Sequence, residues 1–106
     1  MGLYERLMGL DDLAPRVPVH QFTATLAEFG RGAITGAQAR AAISAASGAP
    51  LTPEEETEAT TLLGTVTGTL AAKLARAKEI DDVLILAHQR TPPYNTPALV
   101  KTRLGV

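Results

Sequence analysis

Three times along this chain a threonine stands at the head of a segment whose apolar residues then recur at spacings of three and four, a pattern that builds helices. Thr35 is followed by Gln38, the capping-box arrangement in which the hydroxyl accepts from an early backbone N–H while the glutamine side chain reaches back to the cap. Thr52 is followed by Pro53 at the first helical position and Glu55 at the third, and Glu54 and Glu56 add negative charge at the positive end of the helix dipole. Thr96-Pro97 repeats the cap and the proline. The intervals between the three starts are irregular, so they reflect what helix ends select and not an internal repeat.

The segments so opened carry narrow apolar faces. Ala39, Ala42, Ile43 and Ala46 follow Thr35, small enough for another backbone to approach closely, and Ser47, Gly48 and Pro50 end that helix. Ala59, Leu62, Leu63 and Val66 follow Thr52 up to Thr67 and Gly68, and Leu99, Val100 and Leu104 follow Thr96 up to Gly105. Val19, Phe22, Leu26 and Phe29 predict a further helix over 18–30, entered through Pro18 and closed at Gly30 and Gly32. From Thr69 to about Gln89, Leu70, Leu74, Ala77, Ile80, Val83, Leu84 and Ala87 predict one long helix or two with a kink. The run Val83-Leu84-Ile85-Leu86-Ala87 also suits a buried strand, but no other segment shows the alternation needed to pair with it.

Ahead of these, Leu3, Tyr4, Leu7 and Met8 form a short one-sided helical patch, and Asp11, Asp12, Pro15 and Pro18 interrupt regular structure after it. With 106 residues, two Phe, two Tyr and no Trp, the expected fold is a single all-α unit with an aliphatic core, a small bundle of five or six short helices. Residues 1–17 read as an N-terminal arm, 18–91 as the helical core and 92–106 as a C-terminal tail helix.

Ten basic against eleven acidic side chains leave a net charge of −1, without the electrostatic footprint of a chain that lives on nucleic acid or an anionic membrane. No cysteine is present, so there is no disulfide, no thiolate nucleophile and no cysteine zinc site. No basic start with an apolar h-region opens the sequence and no stretch nears the ~20 apolar residues of a membrane span; the chain is expected to be soluble and unexported. Nor does any catalytic pattern emerge. Glu54, Glu55, Glu56 and Glu58 crowd one helix start where consecutive positions point about 100° apart, and they are expected to be a solvated helix start rather than converging acids. His20 and His88 fall in no metal-ligand spacing, Ser44 and Ser47 lack a nucleophile-elbow context, and Gly30, Gly32 and Gly36 make no phosphate loop. No enzyme, metal or cofactor is therefore expected.

Lys73, Arg76 and Lys78, and separately Arg90, Lys101 and Arg103, are candidate phosphate contacts. Two capped helices joined by a short Gly/Pro turn over 35–66 leave open a small helix-turn-helix type DNA-binding regulator. Against that alternative, its second helix would bring three glutamates to a polyanion. The two proline-flanked ends are harder to absorb. Tyr4, Leu7 and Met8 in the arm, and Tyr94, Leu99, Val100 and Leu104 in the tail, either fold back to cap the bundle or dock on another chain; they are the candidate partner-binding residues.

A resemblance runs along most of the chain in collinear order. It is carried by Leu3-Tyr4-Glu5-Arg6-Leu7, by Val17-Pro18-Val19-His20-Gln21-Phe22 with Leu26-Ala27-Glu28, by Ile34-Thr35 with Ala37-Gln38, and by Glu55-Glu56-Thr57-Glu58. It continues through Glu79-Ile80-Asp81-Asp82-Val83-Leu84 and Tyr94-Asn95-Thr96-Pro97 to Val100-Lys101-Thr102-Arg103-Leu104-Gly105-Val106. In these motifs the sequence resembles a family of small proteins encoded among the structural genes of tailed bacteriophages. The resemblance implies a non-enzymatic virion or assembly component, a capsid-surface, connector or fibre-attachment piece. It would be present in many symmetry-related copies in the virion, pass through the host cytoplasm during assembly, and have capsid, connector or fibre proteins as partners. It brings no catalytic residues.

Overall fold

The computed structural model describes residues 2–8, 19–47 and 50–106, with backbone alone for Val19, His20 and Ser47. Six helices and no strand occur among them: α1 (Leu3–Met8), α2 (Val19–Gly30), α3 (Gly36–Ser47), α4 (Pro53–Leu63), α5 (Leu70–His88) and α6 (Pro97–Leu104). The expected all-α bundle is the fold. Residues 83–87 lie inside α5, which is one continuous helix. The interrupting segment from Asp11 to Pro18, and Gly48, lie outside the described residues.

The helix starts form as the threonines dictate. Thr35 Oγ1 accepts from the Gln38 N–H while Gln38 Oε1 accepts from the Thr35 N–H, at 3.2 and 2.8 Å. Thr52 and Glu55 make the same reciprocal pair at the head of α4, at 3.2 and 3.0 Å, and Thr96 accepts from the Leu99 N–H. A fourth cap, Thr69 to the Ala72 N–H, opens α5. At the other end, Gly105 holds φ +75° as α6 closes, the left-handed conformation glycine adopts without steric cost. The helix expected to run to Val66 is shorter: α4 ends at Leu63 with Gly64 as its cap, and Val66 is buried from the following turn.

One apolar cluster fills the interior. Phe22 and Leu26 of α2, Ala39 and Ile43 of α3, Ala59, Leu62 and Leu63 of α4, and Ala77, Ile80, Leu84 and Ala87 of α5 all belong to it. So do Leu3, Tyr4, Leu7 and Met8 of α1 and Val100 and Leu104 of α6. The core is therefore not confined to 18–91. α1 packs on α4, α5 and α6 together, and apart from half-buried Glu5 it is buried all round, unlike the one-sided patch expected of an arm. A helix with no solvated face belongs in an interior. Removing 1–10 or 92–106 would take core side chains with it.

α2 lies most extensively on α5, and the two run antiparallel: Gly30 sits by Lys73, Leu74 and Ala77, while the Thr23 hydroxyl donates to Asp81. That register explains an error in the expected core. Leu70 and Leu74 were placed on the buried stripe, yet they are 58 % and 42 % exposed. Nineteen residues make α5 about 28 Å long against about 18 Å for the twelve of α2. α2 ends beside residues 73–77, so the first turn of α5 runs past it uncovered.

What fixes α1 is a buried ion pair. Arg6 Nε donates to Glu55 Oε2 at 2.6 Å and Nη2 to Glu55 Oε1 at 2.7 Å, and Nη2 also reaches the Pro50 carbonyl. Both residues are almost wholly buried, so the expectation of a solvated Glu55 is corrected. Extending the stripe Ala59, Leu62, Leu63 back one turn lands on position 55, which faces the core and not water. Burial pushes the Glu55 carboxyl up, but the hydrogen bonds from Arg6, those of Thr52 and the guanidinium charge outweigh it and hold the pKa below its usual 4.5.

Removing one partner of a buried pair strands the other charge, a loss of about 3–5 kcal/mol. Arg6→Met is expected to lower stability by that order in urea titrations, and adding Glu55→Gln, which keeps the capping box, is expected to recover more than half. Equal stability of the single and double variants would overturn the pairing argument. A carboxyl with a lowered folded pKa contributes stability above its unfolded pKa and loses it as pH falls through the folded one. Unfolding free energy of the native chain should therefore drop as pH falls below about 4.5, with a shallower slope in the double variant.

Candidate functional site

The structure separates the residues expected to bind a partner. Tyr4, Leu7, Met8, Val100 and Leu104 are buried in the chain's own core, Tyr94 is half-buried against it, and Leu99 alone is exposed. Of the two readings of the ends, this is folding back. The physical reason is the Arg6–Glu55 pair on one side and a second arginine on the other. Arg76 donates to the Thr65 hydroxyl at 3.0 Å, to Glu79 and to the Leu104 carbonyl, holding the end of α6 on α5. Arg76 had been a candidate phosphate contact; its guanidinium is engaged inside the fold.

Two features remain at the surface. The first is a pocket of about 200 Å³ where α1, α4 and α6 meet, lined by Tyr4, Thr57, Glu58, Thr61, Lys101 and Val106. α4 supplies Thr57, Glu58 and Thr61, of which Thr61 follows the other two by four and three residues and so shares a side of the helix with each. Glu58 Oε1 accepts from the Leu3 N–H at 3.2 Å, and Oε2 lies 3.3 Å from Lys101 Nζ, outside hydrogen-bond geometry. Lys101 Nζ also stands 5.5 Å over the Tyr4 ring, a cation–π distance. The Tyr4 hydroxyl is buried and has no hydrogen-bond partner. Burial first, then the negative charge of Glu58, push its pKa up to about 12, with Arg76 opposing. Of this set the sequence offered Tyr4 as a partner-binding residue and Lys101 as a phosphate contact, and it placed Glu58 among the solvated acids, whereas the Glu58 side chain is largely withdrawn from solvent. Glu58 had a readable signal, since it borders the buried stripe at Ala59 and Leu62.

The second feature is the uncovered flank of α5. Leu70, Leu74 and Ile85 are all exposed, and at 100° per residue they fall within about 60° of one another around the helix. Asp81, on the same side, is held by Thr23. Elsewhere on the surface, Arg40 pairs with Glu56 and Lys78 with Asp82, and Arg103 stands 5.8 Å over the Tyr94 ring. His88 is exposed at the end of α5, and the His20 side chain lies outside the described residues. Among the described residues no group of three or more His, Asp or Glu is placed to hold a metal ion, and no helix is long and apolar enough to cross a membrane.

Comparison with protein-family models, with curated proteins and with solved structures finds no match.

The buried phenol carries its own signature. A group whose folded pKa is raised keeps its stability contribution below the unfolded pKa and loses it as pH rises through the folded one. Stability should fall between pH 10 and about 12, and Tyr4→Phe should flatten that fall. An ultraviolet titration of a Tyr94→Phe chain in which the folded Tyr4 phenol ionises near pH 10 would contradict the burial of Tyr4.

Proposed function

We propose that this chain is a non-enzymatic structural or accessory component of a tailed-phage virion, a capsid-surface, connector or fibre-attachment protein that acts through protein–protein contacts. The observation that supports it is the exposed apolar pair at the start of α5, Leu70 and Leu74, with Ile85 exposed farther along the same side, on a chain most of whose described large apolar side chains lie in or against one cluster. Single exposed leucines are ordinary on a surface, whereas Leu70 and Leu74, one turn apart at the start of α5, make an adjacent apolar pair. The phage assignment rests on the sequence resemblance. The contact face moves from the two ends, which are spent on the core, to the side of α5, with exposed Leu99 of α6 as the surviving member of the earlier set.

Purified particles of the source phage or prophage, analysed by quantitative mass spectrometry, should contain the chain at a fixed copy ratio to the major capsid protein. Its absence from particles would overturn the assignment. Leu70→Glu with Leu74→Glu should leave most helicity in place, because both side chains are exposed, and reduce incorporation about tenfold or more, as loss of two important apolar contacts does. Normal incorporation of that variant would remove α5 as the contact face.

A further inference from the structure

The pocket between α1, α4 and α6 has a chemistry that the contact face on α5 does not use. Apart from Lys101, its polar lining consists of groups able to accept: the Glu58 carboxylate, the Tyr4 hydroxyl and the hydroxyls of Thr57 and Thr61. Two of these acceptors are orphaned. Glu58 Oε2 and the Tyr4 hydroxyl are each buried without a hydrogen-bond partner, an arrangement that costs free energy unless something answers it. The Tyr4 side chain is about 1 % exposed, so its hydroxyl is a fixed part of the wall. One cation stands at the site, and it belongs to the chain: the Lys101 ammonium lies 3.3 Å from Glu58 Oε2 and 5.5 Å over the Tyr4 ring.

Carboxylate, aromatic face and hydroxyl acceptors together recognise an alkylammonium group. Lys101 approaches from the rim on a side chain 44 % exposed and reaches the carboxylate without forming a hydrogen bond to it. It is a displaceable occupant that answers the charge and leaves the acceptors unfilled. A volume of about 200 Å³ exceeds the ~150 Å³ that holds a benzene-sized guest. We propose that this pocket is an alkylammonium-binding site, held in the unliganded chain by Lys101 and taken over by a primary amine, either a small free amine or the lysine side chain of another protein. Swinging Lys101 outward opens the way to Glu58 Oε2 and the Tyr4 hydroxyl, and the incoming amine donates to both while its methylenes lie along Val106 and the threonine methyls.

Affinity for an incoming ligand is lowered by the fraction of molecules whose site is already filled, so removing the internal competitor should raise it. Methylammonium chloride titrated into the full chain and followed by backbone amide NMR should shift the Leu3 N–H, which donates to Glu58 Oε1, in a saturable manner. Lys101→Met should bind about fivefold more tightly, the order expected for losing a partly exposed competing ion pair. Glu58→Gln retains an oxygen for the Leu3 N–H and should abolish binding, and Tyr4→Phe should weaken it. Potassium chloride at equal concentration is the control for salt. No saturable shift in Lys101→Met, or shifts reproduced by potassium chloride, would overturn the proposal. To separate the two sources, 1,4-diaminobutane and a short lysine peptide are compared with their acetylated forms. Preference for the diamine identifies a free-amine site, and preference for the peptide identifies a lysine of a partner.

Discussion

The arrangement of this bundle depends on one buried ion pair. Arg6 comes from a helix of six residues, far below the length at which a helix persists alone in water, and it meets Glu55 in the first turn of α4. Glu55 has two duties there. Its carboxylate accepts from the Thr52 N–H to complete the capping box and from Arg6 to dock α1. The same side chain therefore starts one helix and positions another. Such a pair adds little net stability relative to apolar residues of the same volume, because taking both charges out of water offsets their attraction. Its effect is on geometry: of the ways α1 could lie on an aliphatic surface, only those that bring Arg6 onto Glu55 avoid stranding a charge.

Once α1 is seated, the rest of that end follows. Tyr4 is driven into the junction with α6, and the Leu3 N–H, one of the donors a helix start leaves unsatisfied, finds Glu58 one turn along α4 from Glu55. α6 is held from two directions, by Lys101 to Glu58 and by Arg76 to the Leu104 carbonyl. A guanidinium at the last carbonyls of a helix also suits the negative end of its dipole. The cost of this packing falls on Tyr4, whose ring is well buried and whose hydroxyl is left without a partner.

Much of the fold was legible because its signals are local. Threonine caps, prolines at first helical positions and apolar spacing place all six helices, and Thr35, Thr52 and Thr96 cap as read. What was not legible is non-local. The buried stripe of α4, extended back one turn, marks Glu55 as core-facing and leaves Glu54 to solvent. What local spacing does not carry is the partner that makes a buried carboxylate tenable there, Arg6, 49 residues away. Spacing alone marks a face of α5 as apolar, but whether Leu70 and Leu74 are covered depends on where α2 stops, which is a matter of register between helices. The pocket shows the same limit, since its residues come from three helices that sequence reading had divided between an arm, a core and a tail.

The two ends of the chain and the flank of α5 are connected by a conservation of apolar surface. A chain of this size buries only about two-thirds of what it exposes when unfolded, and its aliphatic side chains must be divided between interior and surface. α1 and α6 are drawn in by Arg6 and Arg76 and add Leu3, Tyr4, Leu7, Met8, Val100 and Leu104 to the interior. Leu70 and Leu74 stay outside because α2 stops beside residues 73–77. The side of α5 proposed as the contact face is thus a surface that the fold leaves over, while the junction that seats the ends retains a charged, acceptor-rich recess of its own.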